Sequence, residues 1–139
     1  MLRAGDWETF DGFPDSDAFF LYGDAYEMAG RASAGDDRLV SGAAPDQMWG
    51  DAAVLGAGIA GGADTFAFAA GNGSDIVHDF ELGKDVIEVG TGAAGFAELS
   101  IAVAGADSVI DFGGGNSVVV KETASGGASL FSEADFVFV

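Results

Sequence analysis

Cysteine is absent from this chain of 139 residues, while proline occurs twice and histidine once. Without cysteine no disulfide can hold the fold together, so stability must come from packing or from a bound metal. The chain also lacks the motifs His-Glu-x-x-His and Gly-x-Ser-x-Gly, and it has no cysteine nucleophile. The common catalytic constellations are therefore missing, and we expect a protein that is not an enzyme.

Long apolar runs are absent too. The longest stretch without a charged residue, Ala52 to Ala63, is too short and too rich in glycine to cross a membrane. The N-terminus, Met1 to Glu8, has no apolar segment of the kind that a cleavable signal peptide requires. We therefore expect neither membrane insertion nor a cleavable signal peptide.

Basic residues are scarce. Five lysines and arginines stand against 23 aspartates and glutamates, which gives a formal net charge of −18. This charge argues against nucleic acid and anionic membranes as partners, and it predicts strong self-repulsion in the metal-free chain. The simplest alternative is a merely acidic soluble domain. Against it, more than half of the aspartates lie between residues 24 and 85, mostly at predicted turns.

What the chain does contain is an internal repeat. Residues 21–39 recur as residues 48–66, an offset of 27, with the order apolar residue, Gly-Asp, small-residue loop and Gly-x-Asp-x-apolar. A shorter unit of nine residues separates Asp37 from Asp46. Short fixed periods are typical of stacked coils. An aspartate at every turn suggests that a cation joins the coils.

The spacing has a direct geometric interpretation. Gly35 permits a turn with positive φ, and residues 38–40 then form a short strand with Leu39 pointing inward. The chain turns back over residues 41–46 and forms the opposing strand at 47–49, so that turns on the same edge stack on each other. Carboxylates and glycine carbonyls of stacked turns then converge as hard oxygen ligands, which suit Ca²⁺.

The predicted ligands fall on two edges of the coil. We interpret residues 26–34 and 53–60 as insertions in equivalent turns, because neither segment has an aspartate in phase. One edge is predicted to stack Asp24, Asp37, Asp51, Asp64 and Asp85, and the other to stack Asp46, Asp75 and Asp79. Backbone carbonyls are predicted to be added by Gly35, Gly62 and Gly73.

Three stretches resemble the Gly-Gly-x-Gly-x-Asp-x-apolar-x repeat of the RTX, or haemolysin-type calcium-binding, family. They are Gly62-Ala63-Asp64-Thr65-Phe66-Ala67-Phe68, Gly71-Asn72-Gly73-Ser74-Asp75 and Asp79-Phe80. They are similar to the closing coils in the C-terminal domain of serralysin-type secreted proteases, and the resemblance covers roughly residues 17–139. It implies an all-β fold, a right-handed parallel β-roll or β-helix with about three to five Ca²⁺ ions between stacked turns.

The predicted core is thin. Burial of one large apolar side chain stabilises a protein by only about 1.5–3 kcal/mol, whereas ordering each residue of a glycine-rich turn costs about 1–2 kcal/mol. We therefore expect the repeats to stay unfolded without Ca²⁺ and to fold outside the cell by mass action. The side chains assigned to the interior are Leu39, Met48, Trp49, Phe66 and Ile76.

After residue 90 the metal pattern stops. Strands are predicted at 76–80 and 85–89 and then at 99–103, 108–112 and 117–121, with a hairpin turn at 113–116. Helical turns are predicted at 93–98 or 132–135. The chain is thus divided into an N-terminal segment or linker (1–16), a calcium-binding roll (17–90) and an antiparallel β cap (91–139).

The C-terminus supports two interpretations that can hold together. Asp135 to Val139 is an acid followed by four apolar residues, and it resembles the uncleaved signal that type I secretion exporters read. Simple alternation instead predicts a final edge strand that packs Phe136 and Phe138 inward. We expect a secreted, extracellular protein whose partners are Ca²⁺ and the exporter.

Two function classes remain. A Gly-x-Gly-x-x-Gly match within residues 54–61 lacks the flanking strand and helix of a dinucleotide site, and His78 is expected to face solvent rather than bind a metal. The first class is a calcium-binding module without catalytic activity, either free-standing or the C-terminal export and folding domain of a larger secreted hydrolase. The second is a small enzyme, or an inhibitor or adhesin that acts through residues 1–30 or through the cap.

Overall fold

The computed structural model describes residues 9–11 and 20–139. This part of the chain is all-β, as predicted, with two short 3₁₀ turns at Phe96–Glu98 and Glu133–Asp135. No helix in the described ranges is long and apolar enough to span a bilayer. In chain order the strands are β1 Thr9–Asp11, β2 Phe20–Tyr22, β3 Ala25–Met28, β4 Arg38–Val40, β5 Gln47–Trp49, β6 Ala52–Leu55, β7 Thr65–Ala69, β8 Ser74–Val77, β9 Val86–Gly90, β10 Ser100–Ala104, β11 Asp107–Gly113, β12 Asn116–Val120, β13 Ala124–Ser125, β14 Ala128–Ser129 and β15 Phe136–Phe138.

The first large sheet is parallel throughout, with strands in the order β1, β4, β7, β9, β15. Its register places Leu39 beside Phe66, Phe66 beside Ile87, and Ile87 beside Phe136, and all four side chains are buried. The 27-residue offset of the sequence repeat is the register between β4 and β7. The repeat is therefore a stack of equivalent coils.

The second large sheet is mixed. Strands β2, β5, β8 and β12 are parallel, and β11 and β10 continue the sheet with antiparallel pairing. Its inner column contains Leu21, Met48, Val77 and Val120, and the last three are fully buried. The core lies between this column and the buried column of the first sheet. Each core strand contributes one or two large side chains to it.

Two residues assigned to the core point outward. Ile76 is only partly buried, whereas Val77 is fully buried, because β8 starts at Ser74 and strict alternation puts Asp75 and Val77 on the inner face. Trp49 lies on the outer face, where its ring stacks on Tyr22 at 5.0 Å and on His78 at 4.1 Å between centroids. Parallel pairing stacks these aromatic residues on the surface.

The two segments predicted as insertions are not plain loops. Strands β3 and β6 pair in parallel, with Ala25 opposite Ala52 and Met28 opposite Leu55. The 27-residue offset is therefore kept into the inserted segments, and Met28 is buried there. Apolar residues in both segments favour this strand pairing.

The C-terminal region extends the roll. Strands β10 to β12 form an antiparallel meander with the predicted hairpin turn at 113–116, but β12 pairs in parallel with β8, and β15 pairs in parallel with β9. The antiparallel pairing predicted for the cap is thus present in β10 to β12, but it continues the second sheet, and the cap as a unit stays a prediction. The handedness of the roll and the domain limits stay predictions. Apart from β1, which pairs with β4, the predicted segment 1–16 lies outside the described residues.

The last residues form an edge strand, with Phe136 buried, Phe138 half-buried, and Val137 and Val139 exposed at 45% and 74%. Asp135 is buried, and its carboxylate accepts hydrogen bonds from the Ser132 N–H at 2.7 Å, the Ser132 hydroxyl at 3.1 Å and the Gly83 N–H at 3.3 Å. The C-terminus therefore has a packing role in the folded state.

The register of β8 can be tested with neighbouring substitutions. Val77→Ala should lower the free energy of unfolding by about 1.5–3 kcal/mol, because it removes a fully buried side chain. Ile76→Ala, the matched control on the outer face, should cost less than about 1 kcal/mol. Urea denaturation of both variants in saturating Ca²⁺ measures the difference. A larger loss in Ile76→Ala would contradict this register.

Candidate metal-binding turns

The turns at the ends of the strands form two rows. We call the turns 23–37, 50–64 and 78–85 the first turn edge, and the turns 41–46, 70–73 and 113–116 the second turn edge. Neighbouring strands lie roughly 4.8 Å apart, so equivalent residues of successive turns come within hydrogen-bonding reach.

Three buried aspartates follow one another along the first turn edge. Asp64 Oδ1 accepts a hydrogen bond from the backbone N–H of Asp37 at 2.9 Å, and Asp85 Oδ1 accepts one from the N–H of Asp64 at 2.9 Å. Asp85 Oδ2 accepts a further bond from the Glu81 N–H at 2.8 Å. Each of these two carboxylates thus holds its own turn to the preceding one, which is the stacking expected from the repeat.

Glycine at the start of each long turn makes room for the aspartate at its end. A β-carbon on Gly50 would lie 2.1 Å from Asp64 Oδ2, and one on Gly23 would lie 2.7 Å from Asp37 Oδ2. Asp64 is only 1% exposed, and its Oδ2 has no hydrogen-bond partner among the described residues. Because a buried anionic oxygen without a donor is costly, this corner has the chemistry of a cation site.

A second row of carboxylates lies on the same edge. Asp24 accepts a hydrogen bond from the Gly35 N–H at 3.0 Å, and Asp51 Oδ1 accepts one from the Gly62 N–H at 2.6 Å. In the last turn, Asp79 accepts bonds from the N–H groups of residues 50 and 51 at 2.7 and 2.9 Å. Asp79 therefore lies on the first turn edge and not on the second, because the chain turns directly after β8 ends at residue 77.

The second turn edge is built around Asp75. Its Oδ1 accepts the N–H of Asp46 at 2.9 Å, and its Oδ2 accepts the Ser41 hydroxyl at 2.8 Å and the Asn72 amide at 2.7 Å. Asp46 Oδ2 accepts the N–H of Gly42 at 2.8 Å. Asp46 and Asp75 thus lie on one edge, as predicted from their spacing.

Several polar residues of this edge were not predicted. Ser41 and Asn72 bind Asp75 directly, and Asn116 Oδ1 accepts the Gly71 N–H at 3.0 Å, in the next turn of the stack. The Asn116 side-chain amide thus continues the row of aspartates of the second turn edge into the turn 113–116. The only available signal was the presence of Ser and Asn beside turn glycines. The carbonyl of Gly73 already accepts the Ser117 N–H at 2.8 Å.

Burial raises the pKa of several of these aspartates. Desolvation, with neighbouring carboxylates adding to it, raises the pKa of Asp64 to about 8, that of Asp85 to about 7 and that of Asp79 to about 6. Hydrogen bonds from backbone N–H groups act in the opposite direction. The pKa values of Asp51 and Asp75 are also raised, chiefly by burial. Clustered, desolvated carboxylates of this kind need a nearby cation to stay ionised at neutral pH.

The described residues contain no group of three or more histidine, aspartate and glutamate side chains arranged around one point as metal ligands. Each turn contributes one carboxylate to a row, so a hard cation between turns would need main-chain carbonyls and water as well. Gly62 packs against the carbonyl oxygen of Gly35, which a β-carbon on Gly62 would meet at 1.6 Å. The ligand roles of the predicted site residues stay predictions.

Comparison with known proteins shows the fold. No family model matches the sequence, and no curated protein matches it. The structure is similar to the AlgE6R3 subunit of the Azotobacter vinelandii mannuronan C5-epimerase, with a TM-score of 0.53 and 24% identity over 96% of this chain and 75% of that chain. It is also similar to the extracellular lipase LipA of Serratia marcescens, with a TM-score of 0.51 and 19% identity over 94% of this chain and 21% of the lipase. At these identities both likenesses concern the fold alone.

The raised pKa values predict how pH affects the metal-free protein. An acid whose pKa is higher in the folded state holds more protons there between its two pKa values, so the free energy of unfolding falls as pH rises. For Asp64, between 3.8 and about 8, this window spans the neutral range. We expect the metal-free chain to lose stability on the order of a few kcal/mol between pH 5 and pH 8.

The strand signal of metal-stripped protein in circular dichroism, measured from pH 5 to pH 8, checks this, because it should decrease as pH rises. In Asp64→Asn the loss with rising pH should be smaller, which separates the buried carboxylate from the effect of net charge. Metal-free stability that is constant or rises over this range would contradict the prediction.

Proposed function

We propose that this chain is a calcium-binding β-roll module of a secreted protein, which folds as Ca²⁺ binds between its stacked turns and has no catalytic activity of its own. The observation that carries the proposal is Asp64. Its carboxylate is buried in the middle of a row of carboxylates, with one oxygen on the Asp37 N–H and the other without a donor among the described residues.

Both turn edges have residues that fit a hard cation. Asp37, Asp64 and Asp85 would hold ions on the first turn edge, and Asp46 and Asp75 on the second. When bound, Ca²⁺ supplies two positive charges per ion and links adjacent turns. About three to five ions would cancel about six to ten of the 18 net negative charges. The chain's own contribution is to hold the oxygens in a row and exclude water from Asp64.

Folding on binding follows from the thin core. Each coil buries one or two large side chains on each sheet, such as Leu39 and Met48 in one coil. This burial contributes about 1.5–3 kcal/mol per side chain, which does not offset the ordering of the glycine-rich turns between them. The charge repulsion along both turn edges opposes folding further. Ca²⁺ removes that repulsion only in the folded arrangement, so binding and folding are coupled.

The extracellular location rests on the fold likeness and on composition. LipA, one of the two similar structures, is an extracellular lipase. Absence of cysteine fits export of an unfolded chain that needs no oxidative folding. This chain spans only about a fifth of the lipase, which supports a related proposal, that it serves as the export and folding domain of a larger secreted hydrolase.

Calcium should convert the chain from unfolded to folded. At neutral pH the metal-stripped protein should lack strand signal in circular dichroism, and millimolar Ca²⁺ should restore it cooperatively. Mg²⁺ at equal ionic strength is the control, because it screens charge equally but is too small for flexible sites of this kind. An identical folded spectrum and an unchanged Tm with and without Ca²⁺ would overturn the proposed function.

The same titration identifies the ligands. Asp64→Asn keeps the size of the side chain but removes its charge, so it should lose about one ion and raise the Ca²⁺ midpoint about tenfold or more. Asp107→Asn is the matched control, because Asp107 starts β11, outside the turns of both edges, and pairs with Lys121 at 2.9 Å. Calorimetry gives both stoichiometries. Equal stoichiometry in the two variants would remove Asp64 from the ligand set.

Export can be separated from packing at the C-terminus. The double variant Val137→Ser/Val139→Ser changes two exposed residues, so it should alter folded stability by no more than about 1 kcal/mol. We expect it to reduce secretion strongly in a host that carries a type I exporter, because the exporter would read these residues in the unfolded chain. Leu130→Ser, also at an exposed apolar position, is the control. Normal secretion of the double variant would leave only the packing role.

A further inference from the structure

Lys84 is a basic residue in the most acidic part of the first turn edge. Its ammonium donates a hydrogen bond to the backbone carbonyl of Gly61 in the preceding turn and lies 3.3 and 3.4 Å from the two carboxylate oxygens of Glu81. The side chain is 36% exposed. An ammonium group thus links the last turn, 78–85, to the turn before it, as an ion between turns would.

A carboxylate of the preceding turn completes these surroundings. A β-carbon on Gly61 would lie 2.0 Å from Glu81 Oε1 and 2.2 Å from Asp51 Oδ2, so both oxygens face the small space beside this glycine. Asp51 uses its other oxygen, Oδ1, to accept the Gly62 N–H. Two carboxylates that approach one point repel each other strongly unless a cation lies between or beside them. Lys84 is the cation that the chain places there.

The chain offers its own comparison one coil earlier. Asp24 and Gly35 repeat the contact of Asp51 and Gly62, at an offset of 27 residues. The basic side chains described in that coil do not take the corresponding position, since Arg31 is exposed in the loop and Arg38 pairs with Glu88 at 2.7 Å. The space between turns 50–64 and 78–85 therefore holds a basic side chain, Lys84. Among the described residues of the earlier coil, no basic side chain takes the corresponding position between turns 23–37 and 50–64.

We propose that the Lys84 ammonium takes the place of a divalent ion between the last two turns of the first turn edge, and so limits how many Ca²⁺ ions this edge binds. The inference rests on the proposed function and adds to it a residue that sets ion number. The Gly61 carbonyl, Asp51 Oδ2 and the Glu81 carboxylate are hard oxygen ligands. Water can complete a calcium shell of six to eight oxygens around such a set. Without the ammonium, this position should therefore accept Ca²⁺.

The test is Lys84→Met, which keeps the length of the side chain and removes its charge. We expect calorimetry and metal analysis of the full chain to give about one additional Ca²⁺ per chain. Lys84→Arg keeps the charge and should match the wild type. Lys121→Met, at the other lysine pair, should also match it, because Lys121 binds Asp107 and neither residue belongs to a turn of either edge. Adding Glu81→Gln to Lys84→Met should return the stoichiometry to the wild-type value.

Each outcome decides the proposal. An unchanged or lower number of bound Ca²⁺ ions in a folded Lys84→Met chain would overturn the proposal. A Lys84→Met chain that stays unfolded in saturating Ca²⁺ would overturn it too, because the metal must be able to replace the ammonium. Both results would leave calcium binding by the wild type intact. A wild-type chain that binds no Ca²⁺ would instead overturn the proposed function, and this inference with it.

Discussion

A buried carboxylate that accepts a backbone N–H from the neighbouring turn is the contact on which the roll depends. Asp64 accepts the Asp37 N–H and donates its own N–H to Asp85, so one unbroken chain of hydrogen bonds runs along the first turn edge. Asp75 and Asp46 repeat the contact on the second edge. This contact sets the register, but it also places anions at roughly the strand spacing, where they repel. The fold is therefore electrostatically incomplete without positive charge at its edges.

The carboxylate rows at the edges decide stability because the apolar core is too small to hold the coils together without them. The interior of the central coils is built on two facing columns, Leu39, Phe66 and Ile87 on one sheet and Met48 and Val77 on the other. A strand adds at most one further large side chain, such as Phe68. Strands of three to five residues bury few side chains, and the turns between them contribute almost none. Glycine is required at the edges for space as much as for conformation, since a β-carbon on Gly50 would overlap the Asp64 carboxylate. Replacing Gly50 would therefore disturb the same carboxylate row that a change in pH or in metal concentration affects.

The repeat made the first coils predictable and the later ones less so. Leu39 on Phe66 and Asp37 on Asp64 follow directly from the 27-residue offset, and both pairs stack in the structure. At the last turn the period shortens, since Asp64 follows Asp37 by 27 residues but Asp85 follows Asp64 by 21. Small phase errors then change the face or edge of a residue, as happened with Ile76 and Asp79. β12 and β15 pair with β8 and β9, which lie far from them in the sequence, and no sequence repeat predicts this pairing. Asn72 and Ser41 were missed because amides and hydroxyls are not part of the motif.

The shortening of the last turn also changes the chemistry along the first edge. That turn carries Asp79, Glu81 and Asp85 within seven residues, together with Lys84. A tethered ammonium is present at any Ca²⁺ concentration, whereas an ion must be supplied by the medium. On the proposal that Lys84 replaces an ion, the C-terminal coils depend on metal less than the N-terminal ones. In a stack where each coil contacts mainly its neighbours, order can spread from one end. If folding is coupled to Ca²⁺ as proposed, the position of a single lysine would thus give it a direction, from β9 and β15 towards β4.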